Sequence, residues 1–238
     1  MIRFQPLFAS AALAGAIASL TPAPAAARVA KAEPTIVRVR LDTPYGPIVL
    51  ALEARRAPRT VANFMGYVDD KRFDGMSFYR SARNRSAPTY GFIQGGIRTD
   101  ARRILPPFPL ETTAMTGIKH LDGTISMARR AEAGSAGGNF FITVGPIPAM
   151  DAKGSYPGYA AFGRVVSGMP VIKRILALPT GGGMGGQLLM RPVRLIAARR
   201  LNGTPRPTGL VKPWLVKTKP AVSKPTSAPA NVARPGTR

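Results

Sequence analysis

The 238-residue chain carries 34 Lys and Arg against 11 Asp and Glu, a formal net charge of +23, and no cysteine. Disulfides, thiol nucleophiles and cysteine metal sites are thereby excluded. Its apolar fraction of 45% is that of a globular chain able to bury a core.

Arg3 is the only charged side chain before an apolar, Ala-rich run from Leu7 to Leu20, and Ala25-Ala26-Ala27 follows with a small-residue cleavage pattern. This predicts a secretory signal peptide over residues 1–27, because the run is too short to span a bilayer well. The expected address is the periplasm or the medium. Removal of residues 1–27 would leave 33 basic against 11 acidic residues. Such a chain is drawn to polyanions, which outside the cytoplasm are lipid headgroups, surface polysaccharide and acidic clients. Nucleic acid is not an expected partner in the cell.

Residues 28–34 read as a linker. From Thr35 to Leu41, apolar residues interleave with Arg38 and Arg40 as in a strand. Tyr45-Gly46-Pro47 is turn chemistry, and Ile48 to Leu52 is the returning strand of a hairpin. Pro58 suits a first helical position, and Val61, Phe64, Met65 and Val68 recur at helical spacing, so a helix is expected over Pro58 to Asp69. Short strands follow at 77–80, 92–94, 123–128, 139–144 and 160–165. A second amphipathic helix is expected over 169–178, ended by Pro179 and the glycine cluster 181–186, and a closing strand over 188–201. From Gly203 to Arg238 there are seven Pro, seven Lys or Arg and no acidic residue, which reads as a disordered basic tail. Within it, Trp214 and Leu215 either fold back on the domain or form a docking motif.

Five blocks then fall in a fixed order: SFYR (77–80), GFIQGG (91–96), GTISMAR (123–129), GNFFITV (138–144) and AAFGRVVSGMPVI (160–172). Their order and spacing resemble the cyclophilin-type peptidyl-prolyl cis-trans isomerases, over about residues 35–201. The resemblance implies a mainly β fold, a closed eight-stranded antiparallel barrel capped by two α-helices, over residues 35–202. It implies acceleration of X-Pro isomerisation in proline-containing polypeptide clients, here in the folding of exported proteins.

By that resemblance Arg80 is the catalytic residue and Gln94 binds substrate backbone. Phe141 forms the floor of the proline slot, Ala128, Arg129 and Arg130 are the strand edge that pairs with substrate, and Met150 is an apolar wall. Asn139 and Tyr159 stand where the family has a Gln and a pocket His, and Ala149 where some members have Trp. Phe92 shares a strand face with Gln94 and joins the pocket wall, whereas Phe140 should point the opposite way, into the core. The stretch Ser81 to Gly91 is longer than the family's loop and is expected beside the pocket. His120, the only histidine, reads as structural. The glycines at 181–186 lack the features of a phosphate loop and read as a flexible turn.

The reaction needs no metal or organic cofactor, and none is expected; a monomer is. Two other readings stay open: a proline-segment binding module with weak turnover, and a surface-association protein that acts through its tail, possible on an anionic envelope.

Overall fold

The computed structural model describes residues 34–215. The signal-peptide expectation, nearly all of the linker, and residues 216–238 of the tail lie outside the described residues. In chain order the strands are β1 (Ile36–Thr43), β2 (Gly46–Glu53), β3 (Ser77–Arg83), β4 (Gly91–Gly96), β5 (Thr124–Met127), β6 (Asn139–Val144), β7 (Ala160–Ser167), β8 (Thr180–Gly181), β9 (Leu188–Arg194) and β10 (Ala197–Arg200). The helices are α1 (Pro58–Asp69) and α3 (Met169–Leu176), with the single turns α2 (Thr113–Thr116) and α4 (Gly183–Gly186).

The ladder runs β10-β1-β2-β7-β5-β6-β4-β3-β9-β8, antiparallel throughout. Its closure is made by the chain itself. The strand expected over 188–201 is broken at Leu195 and Ile196 into β9, on β3, and β10, on β1. At the break the Leu195 amide donates to Met76 O at 2.7 Å and the Ile196 amide to Asp42 O at 2.8 Å. One extended segment thus bridges the two edges. Counted as one, it makes eight barrel strands, with β8 as a two-residue addition. Closure removes the free edges that an open sheet would expose.

Both ends are plugged by apolar helix faces. Pro at the start of α1 supplies no amide where none is needed. The helix buries Val61, Phe64, Met65 and Val68. Phe64 lies 5.1–5.4 Å, centroid to centroid, from Phe73, Phe140 and Phe162, which joins α1 to β6 and β7. The other helix, α3, buries Ile172, Ile175 and Leu176.

The tail boundary moves. Residues 203–215, expected to be disordered, are held on the barrel. The Arg206 amide donates to Asp69 Oδ2 at 2.9 Å, and the Thr208 amide and hydroxyl both reach Asp70. The Lys212 ammonium stands 3.2 Å from Asp70. Trp214 lies across two guanidiniums, with Cζ of Arg72 and Arg103 at 4.7 and 5.1 Å from its ring. Too few apolar side chains for an independent core did not prevent ordering, because the binding groups, Asp70 and Arg72, belong to the barrel.

Asp70 is fully buried and pairs with the equally buried Arg72 at 2.9 Å. Burial alone would raise its carboxyl pKa. The hydrogen bonds from Thr208, then Arg72 and Lys212, outweigh it and hold the group below its ordinary value. Asp70 therefore contributes stability in full above about pH 4, and loses it as pH falls through the lowered folded value. Asp70→Asn leaves Arg72 buried and unpaired. It should cost about 3–5 kcal/mol at neutral pH in denaturant melts. It should also flatten the acid limb of the stability profile; an unchanged acid limb would mean that Asp70 is not its source.

Candidate active site

The site is built on the outer face of β3, β4 and β6. Alternation on β6 sends Phe140 into the aromatic core and Asn139 and Phe141 to the other face. On β3, simple alternation would put Arg80 on the same face as the buried Phe78. A bulge prevents this. Phe78 pairs with Gly95 and Arg80 with the adjacent Gln94, so Tyr79 is an extra residue in the strand. Tyr79 and Arg80 both reach the outer face as a result.

Arg80 is held from two sides. Its Nε and Nη2 donate to Gln187 Oε1 at 2.9 and 2.6 Å, and its Nη1 donates to Gln94 Oε1 at 3.0 Å. Among the described residues one hydrogen on each terminal nitrogen stays available to a ligand. Gln94 Nε2 donates to the Tyr79 hydroxyl at 2.7 Å, and that hydroxyl donates to Asn139 Oδ1 at 3.0 Å. Asn139 Nδ2 closes the chain on the Ile97 carbonyl at 2.9 Å. Burial lowers the Arg80 pKa, an effect opposed by Tyr79 and Tyr159; a guanidinium still keeps its proton at neutral pH. Burial likewise raises Tyr79, so its hydroxyl stays a donor.

Phe141 forms a floor. Its ring lies 5.3 Å from Phe92, 5.4 Å edge-on from Tyr159 and 5.8 Å stacked on His120. His120 Nδ1 is 2.8 Å from Asp151 and Nε2 is 3.0 Å from Ser126 Oγ. The carboxylate can only accept, so Nδ1 carries the proton and Nε2 accepts from Ser126. Burial lowers the His120 pKa against the pull of Asp151, which keeps the ring neutral. The Ser-His-Asp order resembles a nucleophile with its base, but Ser126 is fully buried. The three brace the floor.

A cavity of about 480 Å³ opens over this face. Arg80, Phe92, Gln94, Ala128, Arg129, Arg130, Asn139, Phe141, Met150 and Tyr159 all line it. Arg129 stacks over Tyr159 at 5.0 Å, its Nε donating to Gly158 O at 2.8 Å. Met150 O accepts the Tyr159 amide at 3.0 Å. Gly96, at the end of β4, has φ +120°, and a Cβ there would stand 2.1 Å from Gly138 O, so the close approach of β4 to β6 requires glycine.

The longer stretch 81–91 runs between the cavity-lining Arg80 and Phe92; Ser81 to Arg83 continue β3, Gly91 opens β4, and none of residues 81–91 itself lines the cavity. Sequence reasoning missed Tyr79, Gln187 and the wall formed by Arg98, Asp100 and Ile104. Gln187 was signalled only as the polar residue ending the glycine cluster, where Gly182 and Gly185 at φ +65° and +66° turn the chain back to Arg80.

A family model described as cyclophilin type peptidyl-prolyl cis-trans isomerase/CLD matches residues 36–199. Peptidyl-prolyl cis-trans isomerase A of Dickeya dadantii is 37% identical over 146 residues, 61% of this chain and 74% of that one. A peptidyl-prolyl cis-trans isomerase of Acinetobacter baylyi is 31% identical over 162 residues, 68% and 84% of the two chains. A solved cyclophilin type isomerase of Cryptosporidium parvum superposes with TM-score 0.58 at 19% identity, over 71% of this chain and 99% of that one. The same protein in the presence of the dipeptide Ala-Pro gives TM-score 0.56.

Phe141 is 2% exposed and packed on three rings. Phe141→Ala should cost about 3–5 kcal/mol in a denaturant melt, because its braced neighbours cannot collapse into the void. A loss under about 1 kcal/mol would show that the floor is not packed as described.

Proposed function

The chain belongs to the cyclophilin-type peptidyl-prolyl cis-trans isomerase family, and from that premise we propose that its cavity over Phe141 is where X-Pro bonds turn, in clients outside the cytoplasm. The fixing of Arg80 by Gln187 and Gln94 carries this reading. Rotation about a peptide bond breaks amide resonance against a barrier of about 18–20 kcal/mol. In the twisted state the proline nitrogen regains its lone pair and becomes a better acceptor. A donor already aimed at it stabilises that state more than either planar isomer.

Phe141, with Phe92, Met150 and Tyr159, holds the proline ring. Gln94, Asn139 and the Ala128–Arg130 edge hold the substrate backbone, and Arg80 donates to the nitrogen. Gln187 positions Arg80 and does not touch the substrate. The relative solved with Ala-Pro supports a proline-containing segment as ligand.

Export rests on the apolar run and alanine cleavage pattern within residues 1–27. The protein acts as a monomer in the periplasm or medium. The basic residues of 203–238 hold it near anionic envelope surfaces. N-terminal sequencing of the protein from a periplasmic fraction tests export; an unprocessed Met1 in the cytoplasmic fraction overturns it.

Arg80→Ala should leave the melt unchanged and lower kcat on a proline tetrapeptide about 10²–10³-fold. Arg80→Lys should fail nearly as far, because an ammonium lacks the fork that the two glutamines grip. Wild-type turnover in either variant would remove Arg80 from the mechanism. Gln187→Ala should lower kcat about tenfold with little change in KM, because Arg80 loses both hydrogen bonds to Gln187 Oε1 and keeps only Gln94 as its anchor; a change in KM alone would place Gln187 in binding instead.

A further inference from the structure

We infer that this cavity selects proline segments with an acidic residue beside the proline, and that Arg98 and Arg130 are the groups that read it. The inference rests on the reading that the cavity over Phe141 holds the substrate. Four guanidiniums line the cavity, those of Arg80, Arg98, Arg129 and Arg130, against one carboxylate, Asp100. That carboxylate is already engaged, by Arg102 at 2.8 Å and Arg103 at 3.3 Å. It cannot neutralise the others.

Arg80 and Arg129 are also engaged, with side-chain and backbone oxygens. Arg98 and Arg130 are different. Both are exposed, and among the described residues neither forms an ion pair. Arg98 rests over the Tyr79 ring with Cζ at 5.7 Å from its centroid, and its exposed side chain makes no hydrogen bond among the described residues. The Arg130 backbone is tied down, its amide donating to Ser135 Oγ at 2.8 Å, while its side chain is exposed.

Topology sets the two beyond the same end of the floor. β6 lies between β5 and β4 and is antiparallel to both, with Gly96 opposite Asn139 and Met127 opposite Phe140. Arg130 follows the end of β5 and Arg98 the end of β4, so a chain leaving Phe141 toward Asn139 passes between them. A carboxylate beside the proline on that side comes within reach of one of the two guanidiniums, which can grip it with two parallel hydrogen bonds. A lysine there meets like charge. Arg80 and Arg129 add to the attraction for any anion, but their forks are held by neutral oxygens, whereas the side chains of Arg98 and Arg130 make no hydrogen bond among the described residues.

The test uses the mature protein and three peptides that differ only before proline: Glu-Pro, Gln-Pro and Lys-Pro. Catalysed isomerisation gives kcat/KM and fluorescence anisotropy gives Kd, each at low and high salt. We expect the Glu peptide to exceed the Gln peptide about two- to fivefold in both, as for one exposed ion pair of ordinary strength, with Lys weakest. High salt should compress the ratio, since the Debye length is about 10 Å at 0.1 M. Arg98→Gln with Arg130→Gln should bring the Glu-to-Gln ratio toward one. Arg55→Gln with Arg164→Gln removes equal charge from exposed positions that do not line the cavity and should leave the ratio intact. Equal Kd for the Glu and Gln peptides overturns the charge reading, as does an unchanged ratio in the Arg98/Arg130 variant. Lack of turnover on all three peptides with the Kd order intact would instead fail the placement of catalysis and leave the charge reading standing.

Discussion

The molecule depends on two adjacent phenylalanines facing opposite ways. Phe140 enters a cluster of Phe64, Phe73 and Phe78 that ties α1 to the barrel wall, and Phe141 lays the floor of the outer cavity. Strand geometry makes this an all-or-none arrangement. A one-residue slip of β6 would put Phe141 in the core and Phe140 in the cavity, and would move every cross-strand partner with them. The register Gln94↔Phe141 and Gly95↔Phe140 on β4 locks it, because Gly95 leaves room for the Phe78 ring where a Cβ would come within 2.8 Å. Packing of the core and shape of the site are therefore one constraint.

On that platform the reactive group is set by a local exception to alternation. The bulge at Tyr79 turns Arg80 outward, and the same extra residue supplies the hydroxyl that bonds Gln94 and Asn139. The guanidinium is then gripped by two amide oxygens and not by a carboxylate. A carboxylate would satisfy the charge and weaken its response to a new acceptor. Neutral oxygens fix the fork and leave the charge uncompensated in a half-buried place, where interactions are stronger than in water.

Acidic residues are few, and most tie segments together. Asp42 meets Arg40 and Arg199, Asp69 meets Arg200, and Asp70 meets Arg72 and Lys212. The cavity is left cationic by that distribution. Residues 203–215 use the same device, since Asp70 and the Arg72–Arg103 pair receive Thr208 and Trp214. Arg103 belongs to the 101–103 turn, and its neighbours Asp100, Ala101 and Ile104 line the cavity. The extension therefore packs against the back of the cavity wall.

The sequence by itself determined the parts whose signal is local. The period-two stretches and the Pro58–Asp69 helix were legible because burial on one face forces those spacings, and the family resemblance, with strand alternation for Phe92, named ten residues that line one cavity. Sequence could not decide which way Arg80 points, because a bulge is a relation between β3 and β4 and leaves no mark on β3 alone. It could not find Gln187, which meets Arg80 from 107 positions away across a glycine-rich turn. Nor could it show that the closing strand divides at Leu195 and Ile196, since closure depends on two distant edges meeting one segment. Composition made residues 203–215 look unable to fold, because they carry too few apolar side chains for a core of their own. Their partners, Asp70, Arg72 and Arg103, are assembled only by the barrel, and a segment held by groups outside itself cannot be judged from its own residues.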